Sequence, residues 1–211
     1  MRITVISAAV VLLYAGTAQA AGFLLRVQGA RASGRANAFV ADPTDASAIY
    51  HNPAGLNNLD GLQFNVGGNV IVPDTQFVGL DGEITELDVD AIAAPFAYAS
   101  YELSPYVTIG LGVNAPYGSG LDWPADSPGR QIVREIQLRT WFITPPVAVD
   151  FDQLGVPGLS IAAGLDLAPA SAYLRQDIVF GDQVGQVELS GNDYGVGGRA
   201  GLMYNPDFLE E

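Results

Sequence analysis

The chain has 211 residues, with 9 Lys and Arg against 23 Asp and Glu, which gives a formal net charge of −14 at pH 7. That charge repels phosphate backbones, so no nucleic acid partner is expected, and a chain without Cys cannot be a disulfide-stapled scaffold. Hydrophobic residues make up 49% of the sequence, yet beyond the first 20 residues no apolar run approaches the length of a spanning helix.

Residues 1–20 have the pattern of a signal peptide. Arg2 supplies a positive charge, residues 3–15 are apolar, and Ala18-Gln19-Ala20 forms a small-x-small cleavage site. The alternative, an uncleaved anchor, needs about 20 predominantly apolar residues, and this run is shorter. We therefore expect export across the inner membrane and a mature chain that begins at Ala21.

Residues 21–60 are rich in Gly and Ala and too poor in large side chains to make a good core. Asp45 can cap a short helix over residues 46–50, and Asn52-Pro53 can start another, with Pro at the first helical position. Short helices of small residues suit close packing inside a wall of strands, so this segment is predicted to be a plug. The alternative is that Asn52-Pro53-Ala54-Gly55 is only a turn signal.

Residues 61–211 are predicted to form strands, because apolar residues alternate with small or polar ones. The alternation is clear in residues 62–72, 107–114, 159–167 and 193–204 and weaker in residues 91–103 and 131–150, which gives six strands. One face of the clear segments carries Gly, Asn, Ser, Thr and Asp, which cannot fill a hydrophobic sandwich core. The predicted fold is all-β, an antiparallel transmembrane β-barrel with a polar interior.

The connections between these strands differ in length. Residues 73–90, 115–130 and 176–192 form long connections, whereas residues 104–105 and 150–158 form shorter ones. Short turns on one side and long loops on the outside are typical of outer-membrane barrels. Aromatic residues near the strand ends fit either an interfacial girdle or ordinary packing: Tyr98, Tyr101, Tyr106, Tyr117, Trp123, Trp141 and Tyr204.

Several strings resemble the FadL family of outer-membrane transporters for long-chain fatty acids and other hydrophobic compounds, including its aromatic-hydrocarbon branch. The matching strings are Ala21-Gly22-Phe23, Gly34-Arg35-Ala36, residues 45–50 (DASAIY), Asn52-Pro53-Ala54-Gly55-Leu56, residues 110–118 (GLGVNAPYG), Gly129-Arg130 and residues 138–149. The resemblance implies a fourteen-stranded barrel in the outer membrane whose N-terminal plug, or hatch, blocks the lumen. It also implies passive transport without a cofactor or metal.

The resemblance implies roles for the residues at the matching positions. The hatch would be gated through Asn52, Pro53, Ala54 and Gly55, and Phe23 would pack at a hydrophobic ligand site. The ligand would leave sideways into the membrane near Asn114, Ala115, Pro116 and Tyr117. Arg175 is the candidate partner of a fatty-acid carboxylate, and its alternative role is an ion pair with Asp177 or Asp182.

The implied ligand is a long-chain fatty acid or another hydrophobic small molecule, with monoaromatic hydrocarbons as the alternative. Outer-membrane lipid and lipopolysaccharide would surround the protein, which is expected to be a monomer at full length. Six strands cannot close around a plug of roughly 40 residues, because barrel diameter grows with strand number. The sequence is therefore expected to be a truncated family member or a partial reading frame.

Two other functions compete with transport. A hydrolase needs a nucleophile and a base, but His51 is the single histidine and the sequence has neither a G-x-S-x-G elbow nor an HExxH motif. Packing beside the Asn-Pro-Ala string is the simpler role for His51, so no enzyme is expected. A secreted β-sandwich or a non-transporting surface protein would turn its apolar faces inward, and the sequence alone leaves that orientation open.

Overall fold

The computed structural model describes residues 24–205 apart from Asp81, Asp90 and Asp182. The predicted signal peptide and Phe23 lie outside these described residues. Within them, no helix is both long enough and apolar enough to cross a membrane.

The segment before the first strand, residues 24–60, is called the hatch below. It contains α1 (Ala30–Gly34), α2 (Ala48–His51) and a 3-10 helix (Pro53–Asn58). Asn52 caps the 3-10 helix as predicted, because its Oδ1 accepts the N–H of Ala54 at 3.2 Å. The other predicted helix begins later than residue 46, because Asp45 forms a turn in which its Oδ1 accepts the N–H of Ser47 at 2.9 Å.

In the described part of the chain, eleven strands follow the hatch. They are β1 (Leu62–Ile71), β2 (Gln76–Val78), β3 (Ile84–Glu86), β4 (Ile92–Ser104), β5 (Val107–Asn114), β6 (Gly118–Asp122), β7 (Glu135–Thr140), β8 (Phe142–Thr144), β9 (Pro146–Asp150), β10 (Leu159–Phe180) and β11 (Gln183–Tyr204). A second 3-10 helix, Asp152–Leu154, lies in the turn before β10.

Nine of the strands form one antiparallel sheet, and β2 and β3 form a separate hairpin. β7, β8 and β9 keep one continuous register against β10 and therefore act as a single interrupted strand. β6 likewise continues β5 along that strand. The nine segments thus trace six antiparallel strands in chain order, as predicted. Among the described residues, β1 pairs only with β4 and β11 only with β10.

The two faces of the sheet differ in polarity, and the apolar one is exposed. On β1, the side chains of Phe64, Val66 and Val70 are 69%, 77% and 72% exposed, while Asn65 and Asn69 between them are half-buried. The buried face of the other strands carries polar groups: Ser100, Thr108, Asn114, Thr144, Ser160 and Asp166. A water-soluble sandwich would bury its apolar face, so this orientation is the one a membrane wall requires.

The β10–β11 hairpin is the main departure from the sequence prediction, which placed a long connection at residues 176–192 between the two strands. In the structure the ladder runs without a shift from Leu159 opposite Tyr204 to Phe180 opposite Gln183. The outward face is apolar up to Pro169 and polar beyond it. Because the face changes polarity along the strand, the alternation used for prediction is lost there.

Candidate functional site: a cavity where the wall is interrupted

The hatch packs against the buried face of the sheet through small side chains. Ala46, Ala48 and Ile49 form one cluster with Phe96 and Tyr98 of β4. A methyl group added to either of two inward glycines of β5 would lie 2.8 Å from the Ile49 side chain; these glycines are Gly110 and Gly112. Glycine at those positions is therefore what lets the hatch approach the wall.

The Asn-Pro-Ala string is held against β11. The Nδ2 of Asn52 donates to the carbonyl of Val40 at 3.0 Å and to that of Leu202 at 3.3 Å. A methyl group at Gly201 would overlap Oδ1 of Asn52 and come within 2.9 Å of the backbone nitrogen of Ala54. The structure thus brings the predicted hatch residues together at one strand of the wall, with Pro53, Ala54 and Gly55 all buried.

Arg199 of β11 connects the wall to the hatch. Its Nη1 donates to the carbonyls of Ile49 and Tyr50 at 2.9 and 3.0 Å, and its Nη2 lies 3.1 Å from Oδ1 of Asp166 on β10. The hydroxyl of Thr144 donates to the same carboxylate oxygen. The guanidinium therefore satisfies carbonyls at the end of α2 while its charge is balanced by a partly buried carboxylate.

Sequence reasoning missed Arg199 and Asp166. The alternation places Asp residues on the inward face as polar groups, and it singles out neither the charge of Asp166 nor that of Arg199. The signal was available, because a charged side chain at an inward position of a membrane strand needs a partner. Opposite charges at inward positions of neighbouring strands could have identified the pair.

His51 lies in an aromatic environment within the hatch. Its ring contacts Phe39 edge-on at 5.4 Å and Tyr50 at 5.0 Å between centroids. Burial lowers the pKa of His51 from its ordinary value, and Arg199 lowers it further, while Asp45 opposes the shift. The neutral form of the imidazole ring is therefore favoured, and the contacts of His51 are those of a packed side chain.

The wall is interrupted between β5 and β6, at residues 115–117. Asn114 pairs with Phe142, but Gly118 pairs with Arg139, so the β5–β6 side contains one residue more than its partner. This is a β-bulge, which disrupts the ladder locally. β4 pairs with β5 as far as Phe96, and in the described part of the chain no residue of β4 pairs with β6. A gap therefore separates β4 from β6.

The described start of the hatch lies in this gap. The backbone N–H of Leu25 donates to the carbonyl of Pro116 at 2.8 Å. The hydroxyl of Thr140 donates to the carbonyl of Tyr117 at 2.5 Å. Two carbonyls that the bulge removes from the ladder are thus satisfied, one of them by the hatch.

A cavity of about 740 Å³ occupies the gap, within the range typical of small-molecule sites. Leu24 and Leu25 line it on the hatch side, and Ala115, Pro116 and Tyr117 line it on the wall side. The other lining residues include Ile71, Ile92, Ala94, Pro95, Leu121 and Leu138, with Asp122, Gln137 and Arg139 as polar members. An apolar chamber with a few polar groups suits a hydrophobic or amphipathic molecule.

Not every predicted site residue lies at the cavity. Asn114 is buried next to the bulge but does not line it. Phe23 precedes Leu24 in the chain but lies outside the described residues. Arg175 does not line the cavity either, although Asp122 does.

Arg175 belongs to an ion-pair group on β6, β7 and β10. Its Nη2 lies 2.9 Å from Oε2 of Glu135 and 3.5 Å from Oδ1 of Asp122. Asp177, which the sequence offered as an alternative partner, instead pairs with Arg134 at 3.5 Å. The guanidinium of Arg175 is therefore joined to the cavity lining through its partners, directly by Asp122 and indirectly by Glu135, which accepts a hydrogen bond from Gln137.

An antiparallel sheet with an apolar outer face, a polar inner face and an N-terminal hatch defines a β-barrel protein of the outer membrane. Residues 11–208 match the family described as outer membrane protein transport protein (OMPP1/FadL/TodX), and the chain belongs to that family. Its place is accordingly the outer membrane.

Two relatives support this assignment. The chain is 36% identical over 127 residues to a protein named for the outer membrane, NMB0088 of Neisseria meningitidis serogroup B, covering 54% of this chain and 26% of that protein. It shares its fold with the crystal structure of a Pseudomonas aeruginosa FadL homologue, with a TM-score of 0.67 at 17% identity, over 89% of this chain and 50% of the homologue. The chain therefore spans at most half the length of these relatives.

Proposed function

We propose that the protein carries long-chain fatty acids or other hydrophobic small molecules passively across the outer membrane. The single observation that supports this most is the apolar cavity at the wall interruption, with Leu24 and Leu25 of the hatch on one side and residues 115–117 on the other. A solute in that cavity lies next to the gap between β4 and β6. It leaves sideways through this gap into the membrane.

Binding at this cavity needs no energy input. An apolar solute gains about 0.8 kcal/mol for each CH₂ group that it removes from water. Release requires a change that weakens the cavity, because a site that binds without changing also retains its ligand. The hatch supplies this change, since its first described residues form part of the cavity wall.

The hatch rearranges in two parts under this proposal. Its first residues, Leu24 and Leu25, move with the ligand and with the preceding Phe23, because Leu25 is joined to the wall through one backbone hydrogen bond, to Pro116. The region of Asn52, Pro53, Ala54 and Gly55 moves less easily, because β11 holds Asn52 through the carbonyl of Leu202. Opening at the bulge therefore comes before any displacement of the hatch body.

A fatty-acid carboxylate reaches Arg175 by taking the place of Asp122. Asp122 lines the cavity and lies 3.5 Å from Nη2 of Arg175, a long contact compared with the 2.9 Å pair to Glu135. The solute carboxylate replaces the weaker partner and leaves the stronger pair in place. Monoaromatic hydrocarbons have no carboxylate, so their binding would not depend on Arg175.

Single-cysteine labelling tests the cavity as the binding site, because the natural chain contains no Cys. In a Leu24→Cys variant, oleate is expected to slow maleimide labelling of the introduced thiol at least severalfold. Val40→Cys is the matched control, since Val40 is an exposed hatch residue that does not line the cavity. The alternative result is that the thiol at residue 24 is labelled at the same rate in the absence and presence of every solute, whether oleate, toluene or another monoaromatic compound. That result would favour a non-transporting outer-membrane protein.

Uptake by cells tests the transport step itself. Phe23→Ala and Asn52→Ala are expected to reduce uptake of radiolabelled oleate, because one alters the proposed ligand site and the other the hatch. Arg175→Gln is expected to reduce uptake of oleate but not of toluene. Arg35→Gln, at an exposed ion pair of the hatch, is the control. Unchanged oleate uptake in both Phe23→Ala and Asn52→Ala would contradict the mechanism.

A further inference from the structure

Three successive rows of side chains lie on the outward face of residues 137–141, β10 and β11. They lie where the apolar part of this face ends, on the side towards the turn between β10 and β11. Residues directly opposite each other on antiparallel strands lie side by side on the same face. The first row is Trp141, Pro169 and Tyr194, the second Arg139, Ser171 and Asn192, and the third Gln137, Tyr173 and Ser190. An aromatic row is thus followed at once by two polar rows.

The first row marks the edge of the apolar band. Below it the outward side chains are large, apolar and exposed, as at Leu165, Leu167 and Val196. Trp141 and Tyr194 are themselves 40% and 76% exposed, as expected of aromatic residues at the level of the lipid head groups. Residues 159–169 supply the 9–11 residues that a membrane strand needs. The polar rows therefore lie at the level where acyl chains give way to head groups.

A second cavity, of about 190 Å³, lies in the polar rows. It is lined by Gln137, Arg139, Ser171, Ala172, Tyr173, Ser190, Gly191 and Asn192. Hydroxyl, amide and guanidinium groups can all donate hydrogen bonds to an anion. This composition differs from that of the large cavity, whose lining is mainly apolar.

Arg139 is the charged group of this second cavity. It is exposed, its Nη2 donates to Oε1 of Gln137 at 3.2 Å, and no carboxylate of the described residues forms an ion pair with it. By contrast Arg134, Arg175 and Arg199 each pair with a carboxylate. In a chain of net charge −14, Arg139 is a cation at the head-group level that no carboxylate of the described residues neutralises.

We propose that this second cavity binds a phosphate group of a lipid in the outer leaflet of the outer membrane. Arg139 forms the charge-assisted contact, and Ser171 and Asn192 of the same row donate hydrogen bonds to the phosphate oxygens. Glu188, opposite Arg175 in the row beyond Tyr173 and Ser190, repels an anion and so keeps the phosphate in the row of Arg139, Ser171 and Asn192. The acyl chains of the lipid lie along Trp141, Pro169 and Tyr194.

The occupant is a lipid because of where the cavity lies. A free anion would bind equally well at any exposed arginine, whereas a phosphorylated lipid also gains contacts with the apolar band directly below. Basic residues at the membrane surface attract anionic lipids by about 1 kcal/mol each. The second cavity combines both features, because its basic residue lies directly beside the apolar band.

Native mass spectrometry with a defined lipid tests this proposal. The purified protein in detergent is titrated with diphosphorylated lipid A and with the same lipid after removal of its phosphates. The natural chain is expected to bind the phosphorylated form at least tenfold more tightly. Arg139→Gln is expected to remove most of that preference and Asn192→Ala part of it. Arg130→Gln, at a half-buried arginine outside the cavity, is expected to retain it.

Three outcomes would overturn the proposal. Equal affinity of the natural chain for both lipid forms would mean that phosphate is not recognised. An equal loss in Arg130→Gln and Arg139→Gln would indicate general charge attraction. Displacement of the lipid by millimolar inorganic phosphate would identify a free-anion site. Heat-modifiable migration of each variant shows whether it is folded, and Asn192→Ala gives a second readout if Arg139→Gln does not fold.

Arg139 also borders the large cavity, so the two proposals are separated with Asn192→Ala, which alters only the second cavity. Loss of lipid preference with unchanged oleate uptake in Asn192→Ala supports the lipid site and is independent of the transport proposal. Loss of oleate uptake with unchanged lipid preference in Arg139→Gln places Arg139 in the solute path and contradicts the lipid site.

Discussion

The backbone N–H of Leu25 donates to the carbonyl oxygen of Pro116 at 2.8 Å, which joins the first described residues of the hatch to the bulge of the wall. Pro116 stands where the β5–β6 side contains one residue more than its partner strand. Its carbonyl has left the ladder, and the hatch supplies the missing donor. This hydrogen bond therefore joins the hatch directly to the bulge of the wall.

Leu25→Pro removes this donor without introducing a charge, since proline has no backbone N–H. A typical hydrogen bond contributes about 0.5–1.5 kcal/mol, so trypsin is expected to cleave after Arg26 about 2–10 times faster. Leu25→Ala keeps the N–H and serves as the control for the lost side chain. If both variants are cleaved at the same rate, the hydrogen bond does not hold this segment.

Arg199→Gln is expected to loosen the hatch body, because it removes donors to the Ile49 and Tyr50 carbonyls and leaves Asp166 without its cation. Removing one partner of a buried ion pair costs about 3–5 kcal/mol of stability. A loss of about 3 kcal/mol is expected for Arg199→Gln, because this pair is partly exposed. Urea unfolding in detergent measures the change. Adding Asp166→Asn to Arg199→Gln should recover part of the loss.

The exposed pair of Arg35 and Asp42 is the control for Arg199. Their side chains are 44% and 68% exposed, and such pairs contribute about 0–1 kcal/mol. Arg35→Gln should therefore leave the urea midpoint nearly unchanged. A similar small effect for Arg199→Gln would mean that the connection between the wall and α2 is not structurally important.

The sequence predicted the strands best where one face stays apolar throughout. Residues 62–72 and 107–114 were expected as strands, and the structure has Leu62–Ile71 and Val107–Asn114. Residues 131–150 gave weaker alternation, because Trp141 and Pro145 interrupt that strand and divide it into β7, β8 and β9. A local sequence pattern is enough to predict such strands, because side chains alternate between the two faces of any strand with a period of two residues.

Other features depend on the environment of the strand and were not visible in a local pattern. Residues 176–192 were predicted as a loop, although the structure places most of them in β10 and β11, because the outward face of these strands becomes polar beyond Pro169. The bulge at residues 115–117 is a difference in register between two strands, so neither strand shows it alone. The cavity lies at this region; the lateral opening that the family resemblance implies there stays a prediction.

Acidification is expected to destabilise the hatch through His51. Burial lowers the pKa of His51 in the folded protein, so the unfolded chain binds more protons between that value and the ordinary value of about 6.5. The contribution of the neutral ring is thus fully present above about pH 6.5 and is lost as the pH falls towards the folded value. Urea unfolding of the natural chain and of His51→Phe at pH 7.5 and 5.5 measures it.

In this comparison the natural chain should lose more stability on acidification than His51→Phe, which cannot be protonated. The carboxylates of the chain titrate in both proteins and cancel in the difference. Phenylalanine keeps an aromatic ring against Phe39 and Tyr50, so the variant preserves most of the packing. The same loss in both proteins would show that His51 is protonated equally in the folded and unfolded states.

Two glycines of β11 offer a matched test of the contact between the hatch and the wall. A methyl group at Gly201 would overlap Asn52, whereas one at Gly198 meets nothing within 4 Å. Gly201→Ala is therefore expected to cost about 1–3 kcal/mol through overpacking and to displace the Asn-Pro-Ala string. Gly198→Ala, on the outward face of the same strand, should be neutral or slightly stabilising, because alanine reduces the entropy of the unfolded chain. Urea unfolding and oleate uptake are measured together. A Gly201→Ala protein that matches Gly198→Ala in both would mean that the hatch can move away from β11 at little cost, and that Asn52 does not fix its position.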